Sequence, residues 1–100
     1  MTKPLRAAVV GVGYLGRFHA QKYGQLAGLN LVAVVDADID RAQAVASEFQ
    51  GCRPLTEVDD LFDEVDLVSV VVPTQLHFET TKPFLERGIH VLLEKPMTVT

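Results

Sequence analysis

Four short apolar runs, residues 5–10, 31–35, 67–72 and 89–93, recur along this chain with stretches of helical periodicity between them. Runs so rich in Val, Ile and Leu suit strands buried on both faces. The alternation of the two rhythms prescribes an α/β fold: a doubly wound, mostly parallel sheet with helices on both faces. A weaker fifth strand is expected near residues 51–53, and no repeat, low-complexity tract or linker interrupts the pattern. At 100 residues, 48% hydrophobic and 22% charged, the chain is one globular unit or a piece of one. Domains commonly hold about 100 to 150 residues, and a chain of this size buries roughly 60 to 70% of its unfolded surface without a metal or disulfide staple.

The helices announce themselves by stripes and ends. Ile39, Ala42, Val45, Ala46 and Phe49 form one apolar face, with Asp38 as the N-cap. Thr56 and Asp59 have capping-box spacing ahead of Leu61 and Phe62, which predicts a short helix there. Thr74 can cap a helix over residues 75–87, and Gly88 stands where a left-handed terminal residue is wanted. Pro83 falls inside that helix, where it costs about 3 kcal/mol and removes a backbone bond, so a kink or a shortened helix is expected.

Nine Lys and Arg against thirteen Asp and Glu leave a net charge of -4, the wrong sign for a nucleic-acid or anionic-membrane partner. No apolar run approaches the roughly 18 residues of a membrane span. Lys3 and Arg6 ahead of residues 7–10 imitate the start of a signal peptide, but Arg17, His19, Gln21 and Lys22 interrupt it before any cleavage site. Cys52 is the only cysteine, which excludes an intramolecular disulfide and fits a reducing, cytoplasmic setting.

Gly11, Gly13 and Gly16 form G-x-G-x-x-G directly after the first strand, at the mouth of a helix running from Tyr14 to about Leu26. The first glycine permits a tight turn, the second lets backbone approach a pyrophosphate, and the third allows helix to pack closely on strand. Tyr14 and Leu15, in the same turn, complete that contact set. Asp36 ends the second strand twenty residues after Gly16, where a carboxylate can accept both hydroxyls of an adenosine ribose. It also suits the turn into the next helix. Asp36, Asp38 and the lack of Arg at positions 37–40 favour NAD over NADP, although Arg41 lies close enough to keep NADP open.

In a parallel sheet every strand delivers its C-terminal end to the same edge, where ligands bind at the topological switch point. Pro73, Thr74 and His77 follow the third apolar run, and Glu94, Lys95 and Pro96 follow the fourth. Pro96 keeps Lys95 out of helical geometry, so that Lys95 can reach over a nicotinamide face. Partial burial there would lower its pKa and let it shuttle a proton while hydride moves. His77 can cap backbone or line the nicotinamide ribose, and Glu94 can touch ribose or substrate or simply orient Lys95.

Gly11-x-Gly13-x-x-Gly16, Asp36, Pro73-x-x-x-His77 and above all Glu94-Lys95-Pro96 resemble, over the whole chain, the glucose-fructose oxidoreductase, inositol dehydrogenase and rhizopine-catabolism (Gfo/Idh/MocA) family. The resemblance implies an NAD(P)-dependent oxidoreductase acting on a sugar, cyclitol or nucleotide sugar such as a UDP-hexosamine. It assigns Lys95 to proton transfer and substrate binding, and allows a cis Lys95–Pro96 bond. Val72 departs from the small or hydroxylated residue that many relatives carry. Family members continue into a second α/β domain that holds most of the substrate pocket and often the oligomer contacts. Residues 1–100 are therefore expected to be an NAD(P)-binding domain, incomplete at its C-terminal end, of a homo-oligomeric enzyme, and inactive alone.

His19 shares a helical face with Leu15, Tyr23 and Leu26 and reads as a core histidine, to which the resemblance adds a role in shaping the phosphate loop, and His90 reads as a packed or edge-exposed strand residue. Arg17 and Lys22 read as solvated in preference to adding local positive charge near the pyrophosphate. No histidine pair or cysteine has metal-ligand spacing, so no metal is expected. The competing functions are a non-catalytic dinucleotide sensor and a methyltransferase using S-adenosylmethionine. Neither gives Glu94-Lys95-Pro96 a purpose.

Overall fold

A computed structural model describes residues 5–11, 14–25, 28–71 and 77–93. The elements run β1 (Leu5–Val10), α1 (Tyr14–Gln25), β2 (Leu29–Val35), α2 (Ile39–Ala46), β3 (Arg53–Leu55), a 3-10 turn (Val58–Leu61), β4 (Leu67–Val70), α3 (His77–Glu86) and β5 (His90–Leu93). All the pairings are parallel and the strand order is β3-β2-β1-β4-β5. The chain steps outward from β1 to β3, then returns to the other side of β1, so β1 and β4 flank the topological switch point. This is the expected doubly wound α/β sheet.

Two apolar clusters cover its two faces. One joins Ala7, Val9, Leu31 and Val34 to Ala20 and Tyr23 of α1 and to Ala42, Val45 and Ala46 of α2. The other joins Ala8, Val10, Ala33, Val35, Val68 and Val70 to Leu61, Val65, Phe84 of α3 and Ile89. In β2 the strict alternation of faces is broken: Ala7 pairs with Leu31 but Ala8 pairs with Ala33, which leaves Val32 as an extra residue. A one-residue bulge inverts side-chain parity, which is why Leu31 and Val34 share a face. On the α1 face of the sheet the buried hydroxyls of Tyr23 and Ser69 hydrogen-bond each other and tie α1 to β4. An unpaired hydroxyl in that position would cost about 1–3 kcal/mol.

The ends of the helices follow local chemistry. The Asp38 side chain accepts the N–H groups of Asp40 and Arg41, at 3.0 and 3.3 Å, as the expected N-cap of α2. At the end of α3 the Gly88 N–H donates to the Leu85 carbonyl and the Ile89 N–H to the Phe84 carbonyl, with Gly88 at φ 74°. That pair of bonds is a Schellman motif, and the accompanying apolar contact joins Phe84 to Ile89 in one cluster. Helix α3 continues through Pro83 to Glu86, one residue short of the expected end. The carbonyl that loses its partner there belongs to exposed Glu79, within reach of water.

Further sequence expectations need correction, the start of β5 among them, at His90 instead of residue 89. Strand β2 begins two residues earlier than expected, at Leu29. Strand β3 is Arg53–Leu55 instead of 51–53, because Gly51, at φ 78°, still belongs to the preceding turn. Pro54 is tolerated there because β3 is an edge strand. Strand β4 ends at Val70, although the Val71 N–H still donates to the Val10 carbonyl at 2.9 Å. Finally, Thr56 caps nothing: β3 holds the chain extended to Leu55, the 3-10 turn starts only at Val58, and its cap position is Glu57, without a side-chain bond. Among the described residues no helix is long and apolar enough to cross a membrane.

Candidate functional site

The five strands finish on one row. Val10 pairs with Val35 on one side and Val70 on the other, Val35 pairs with Leu55, and Val70 with Leu93. Because the strands are parallel, Gly11 and Asp36 follow on neighbouring strands at one rim, and the end of β5 lies two strands from β1, about 10 Å away. Backbone bonds continue the row: the Gly11 N–H donates to the Val35 carbonyl at 2.7 Å and the Asp36 N–H to the Leu55 carbonyl at 3.0 Å.

Gly11 has φ 90°, in the left-handed region that disfavours an L side chain. The turn therefore needs the glycine that the motif supplies. Gly13 lies outside the described residues. Helix α1 opens at Tyr14, so Tyr14, Leu15 and Gly16 all fall in its first turn, which holds no acidic residue. No acidic side chain of that turn offsets the partial positive charge of the helix end, which suits an anion.

Asp36 serves its turn as well as its rim. Its side chain is only 9% exposed. One carboxylate oxygen accepts the Asp38 N–H at 2.9 Å, and the other stands 3.5 Å from Nη1 of Arg41. Arg41 also approaches the Asp38 carboxylate, at 3.9 Å. Sequence spacing alone left Arg41 merely nearby. The Asp38 cap fixes the start of α2, and that fixed start brings Arg41 back over Asp36.

A left-handed glycine, a helix end without acid and a largely buried carboxylate on the adjacent strand fit a dinucleotide whose pyrophosphate meets the turn and whose adenosine ribose meets Asp36. His77 opens α3, after β4. Val72, Pro73, Thr74, Glu94, Lys95 and the Lys95–Pro96 bond lie outside the described residues. Strand β5, which leads to Glu94 and Lys95, ends on the same row as β1.

His19 is half-buried in α1, while Lys22 and His90 are exposed. Cys52 is half-buried, and burial pushes its thiol up to about 11, so the thiol stays protonated at neutral pH. A cavity of about 560 Å³ lies where β2 begins, lined by Leu29, Leu31, Phe49 and Gly51 among others. It is at the opposite end of the strand from Asp36. Among the described residues no group of His, Cys, Asp and Glu could hold a metal ion.

Comparison with known proteins bears on this geometry. Residues 5–100 match the GFO_IDH_MocA family, an oxidoreductase family with an NAD-binding Rossmann fold. The chain is 46% identical over 95 residues to UDP-N-acetylglucosamine 3-dehydrogenase of Acidithiobacillus ferrooxidans, covering 95% of this chain and 29% of that protein. A crystal form of that enzyme superposes with a TM-score of 0.85 at 45% identity, over 98% of this chain and 32% of the enzyme's. Inositol 2-dehydrogenase of Corynebacterium glutamicum is 37% identical over 101 residues, covering 98% of this chain and 30% of its own length. GenD2 from gentamicin A biosynthesis, solved in complex with NAD, has a TM-score of 0.86 at 30% identity, over 100% of this chain and 29% of GenD2. The chain thus spans about 30% of the length of these relatives. With a doubly wound sheet, a glycine turn at its switch point and a family match across nearly its whole length, the chain belongs to the Gfo/Idh/MocA oxidoreductase family.

Proposed function

We propose that this chain is the cofactor-binding part of an NAD-dependent dehydrogenase acting on a secondary carbinol of a sugar, cyclitol or nucleotide sugar. The observation that carries the proposal is the single row of strand ends, which sets left-handed Gly11 beside Asp36. Relatives named as UDP-N-acetylglucosamine and inositol dehydrogenases support the substrate class. Support for NAD comes from the family description and from the NAD-bound relative.

In this reading Gly11, Gly13 and Gly16, with Tyr14 and Leu15, admit pyrophosphate to the backbone N–H groups at the start of α1. The Asp36 carboxylate accepts ribose hydroxyls, and Pro73, Thr74, His77 and Glu94 border the nicotinamide end. Bound there, NAD supplies the hydride acceptor. Neutral Lys95 takes the proton from the carbinol oxygen, so that alcohol becomes ketone with charge balanced. The remaining substrate contacts belong to a second domain, in a homo-oligomer of the full-length protein. A cytoplasmic setting suits the free thiol of Cys52.

Calorimetric titration of the full-length protein with NAD⁺ tests the proposal. Saturable binding with a dissociation constant in about the 1 μM to 1 mM range is expected, since ΔG° of roughly -4 to -8 kcal/mol is ordinary for a reversibly held cofactor. Absence of binding by both NAD⁺ and NADP⁺ would contradict it.

A further inference from the structure

Tyr23 lies near the far end of α1 from Tyr14, roughly 13 Å along the helix axis. A long side chain in a helix leans back toward the helix N-terminus. The Tyr23 hydroxyl reaches Ser69, which pairs with Val9, one residue below the row on which Val10 meets Val70. Their bond thus lies just beneath the rim that carries the glycine turn. Ala20 and the Tyr23 ring pack with Ala7, Val9, Leu31 and Val34, which holds α1 over β1 and β2. Such apolar contact is non-directional and leaves the tilt of a helix loosely set. A hydroxyl–hydroxyl bond weakens steeply away from its preferred distance and angle, and Ser69 stands on β4, on the other side of β1 from β2. Ser69 is fully buried and Tyr23 nearly so, so neither hydroxyl has water to turn to if the bond opens.

Given the proposed reading that pyrophosphate meets the start of α1, we infer that Tyr23 and Ser69 are positioning residues: their bond sets the tilt of α1 across the switch point and so places the N–H groups of its first turn. A binding constellation has to be held within about 0.5 Å of its productive geometry, a tolerance that a directional bond meets better than apolar contact alone. Neither residue touches the cofactor in this arrangement. Their effect on binding travels through the helix.

Calorimetric titration of the full-length protein with NAD⁺ and with ADP-ribose, paired with urea denaturation, tests this role. ADP-ribose keeps the pyrophosphate and lacks the nicotinamide. Tyr23→Phe and Ser69→Ala should each weaken NAD⁺ by about tenfold and ADP-ribose by the same factor, because the disturbed groups face the pyrophosphate that both ligands carry. Each single variant also strands one buried hydroxyl and lowers the urea midpoint. The double variant strands none, so its midpoint should return toward that of the wild type. Its NAD⁺ affinity should stay about tenfold weak, because the tie between α1 and β4 is still missing. A pair that served stability alone would recover affinity and midpoint together.

NAD⁺ affinity within about threefold of the wild type in either single variant, or in the double variant, would overturn the role. So would a loss confined to NAD⁺ and spared in ADP-ribose, which would place the effect at the nicotinamide end, beyond β4. If a single variant does not fold, the double variant carries the comparison, since it buries no unpaired hydroxyl. Failure of the wild type to bind NAD⁺, NADP⁺ and ADP-ribose alike would instead remove the dinucleotide reading itself, and it would appear before any variant is compared.

Discussion

Lys95→Ala is expected to cut kcat by about 10²- to 10⁴-fold in the full-length protein, the usual loss when a general base, the role proposed for Lys95, is removed. NAD⁺ affinity should stay within about threefold of the wild type, because the proposed grip on the cofactor lies in the 11–16 turn and at Asp36 and does not involve Lys95. The two readouts separate proton transfer from folding and binding. Steady-state kinetics with a sugar or cyclitol substrate, paired with calorimetry, measures both. A kcat within about tenfold of the wild type would withdraw Lys95 from the chemistry. A parallel collapse of NAD⁺ binding would make its role structural.

Phe84→Ala carries the second large effect, this time on stability. Phe84 is fully buried at the end of α3, and its ring meets Phe62 edge-on with centroids 5.3 Å apart. Phe84 also provides the carbonyl that closes the Schellman motif at Gly88, so its side chain anchors both the helix end and the apolar cluster beneath β1 and β4. Truncating such a ring costs about 3–5 kcal/mol, because the lost transfer free energy adds to that of an unfilled cavity. The midpoint of urea denaturation should fall accordingly, with little change in slope. A loss under about 1 kcal/mol would mean that the core closes over the gap.

Much of this architecture was legible because it is written in local signals. The apolar runs gave β1 to within a residue and the later strands approximately, and Asp38 and Gly88 ended their helices as their chemistry demands. What escaped depends on contacts between distant segments. The bulge at Val32 is imposed by pairing with β1 and leaves no mark in the alternation of residues 31–35. The Tyr23–Ser69 bond joins residues 46 positions apart, and serine on a buried strand does not name its partner. Thr56 and Asp59 had the right spacing for a cap, yet β3 extends to Leu55 and delays the turn that follows.

The site divides along the same line. Gly11 and Asp36 were recognisable from their positions after apolar runs, and the register sets them on neighbouring strands. The approach of Arg41 to Asp36 required the start of α2 to be fixed first.

A crystal structure of the full-length protein with NAD bound tests the shared rim most directly. Pyrophosphate should lie against the N–H groups of the 11–16 turn, with an adenosine ribose hydroxyl about 2.6–3.2 Å from the Asp36 carboxylate. The nicotinamide should lie toward the end of β5, with Nζ of Lys95 within about 4 Å of the reacting carbinol position. A dinucleotide seated at the β2 end that begins with Leu29, or Lys95 more than about 10 Å from the nicotinamide, would contradict it.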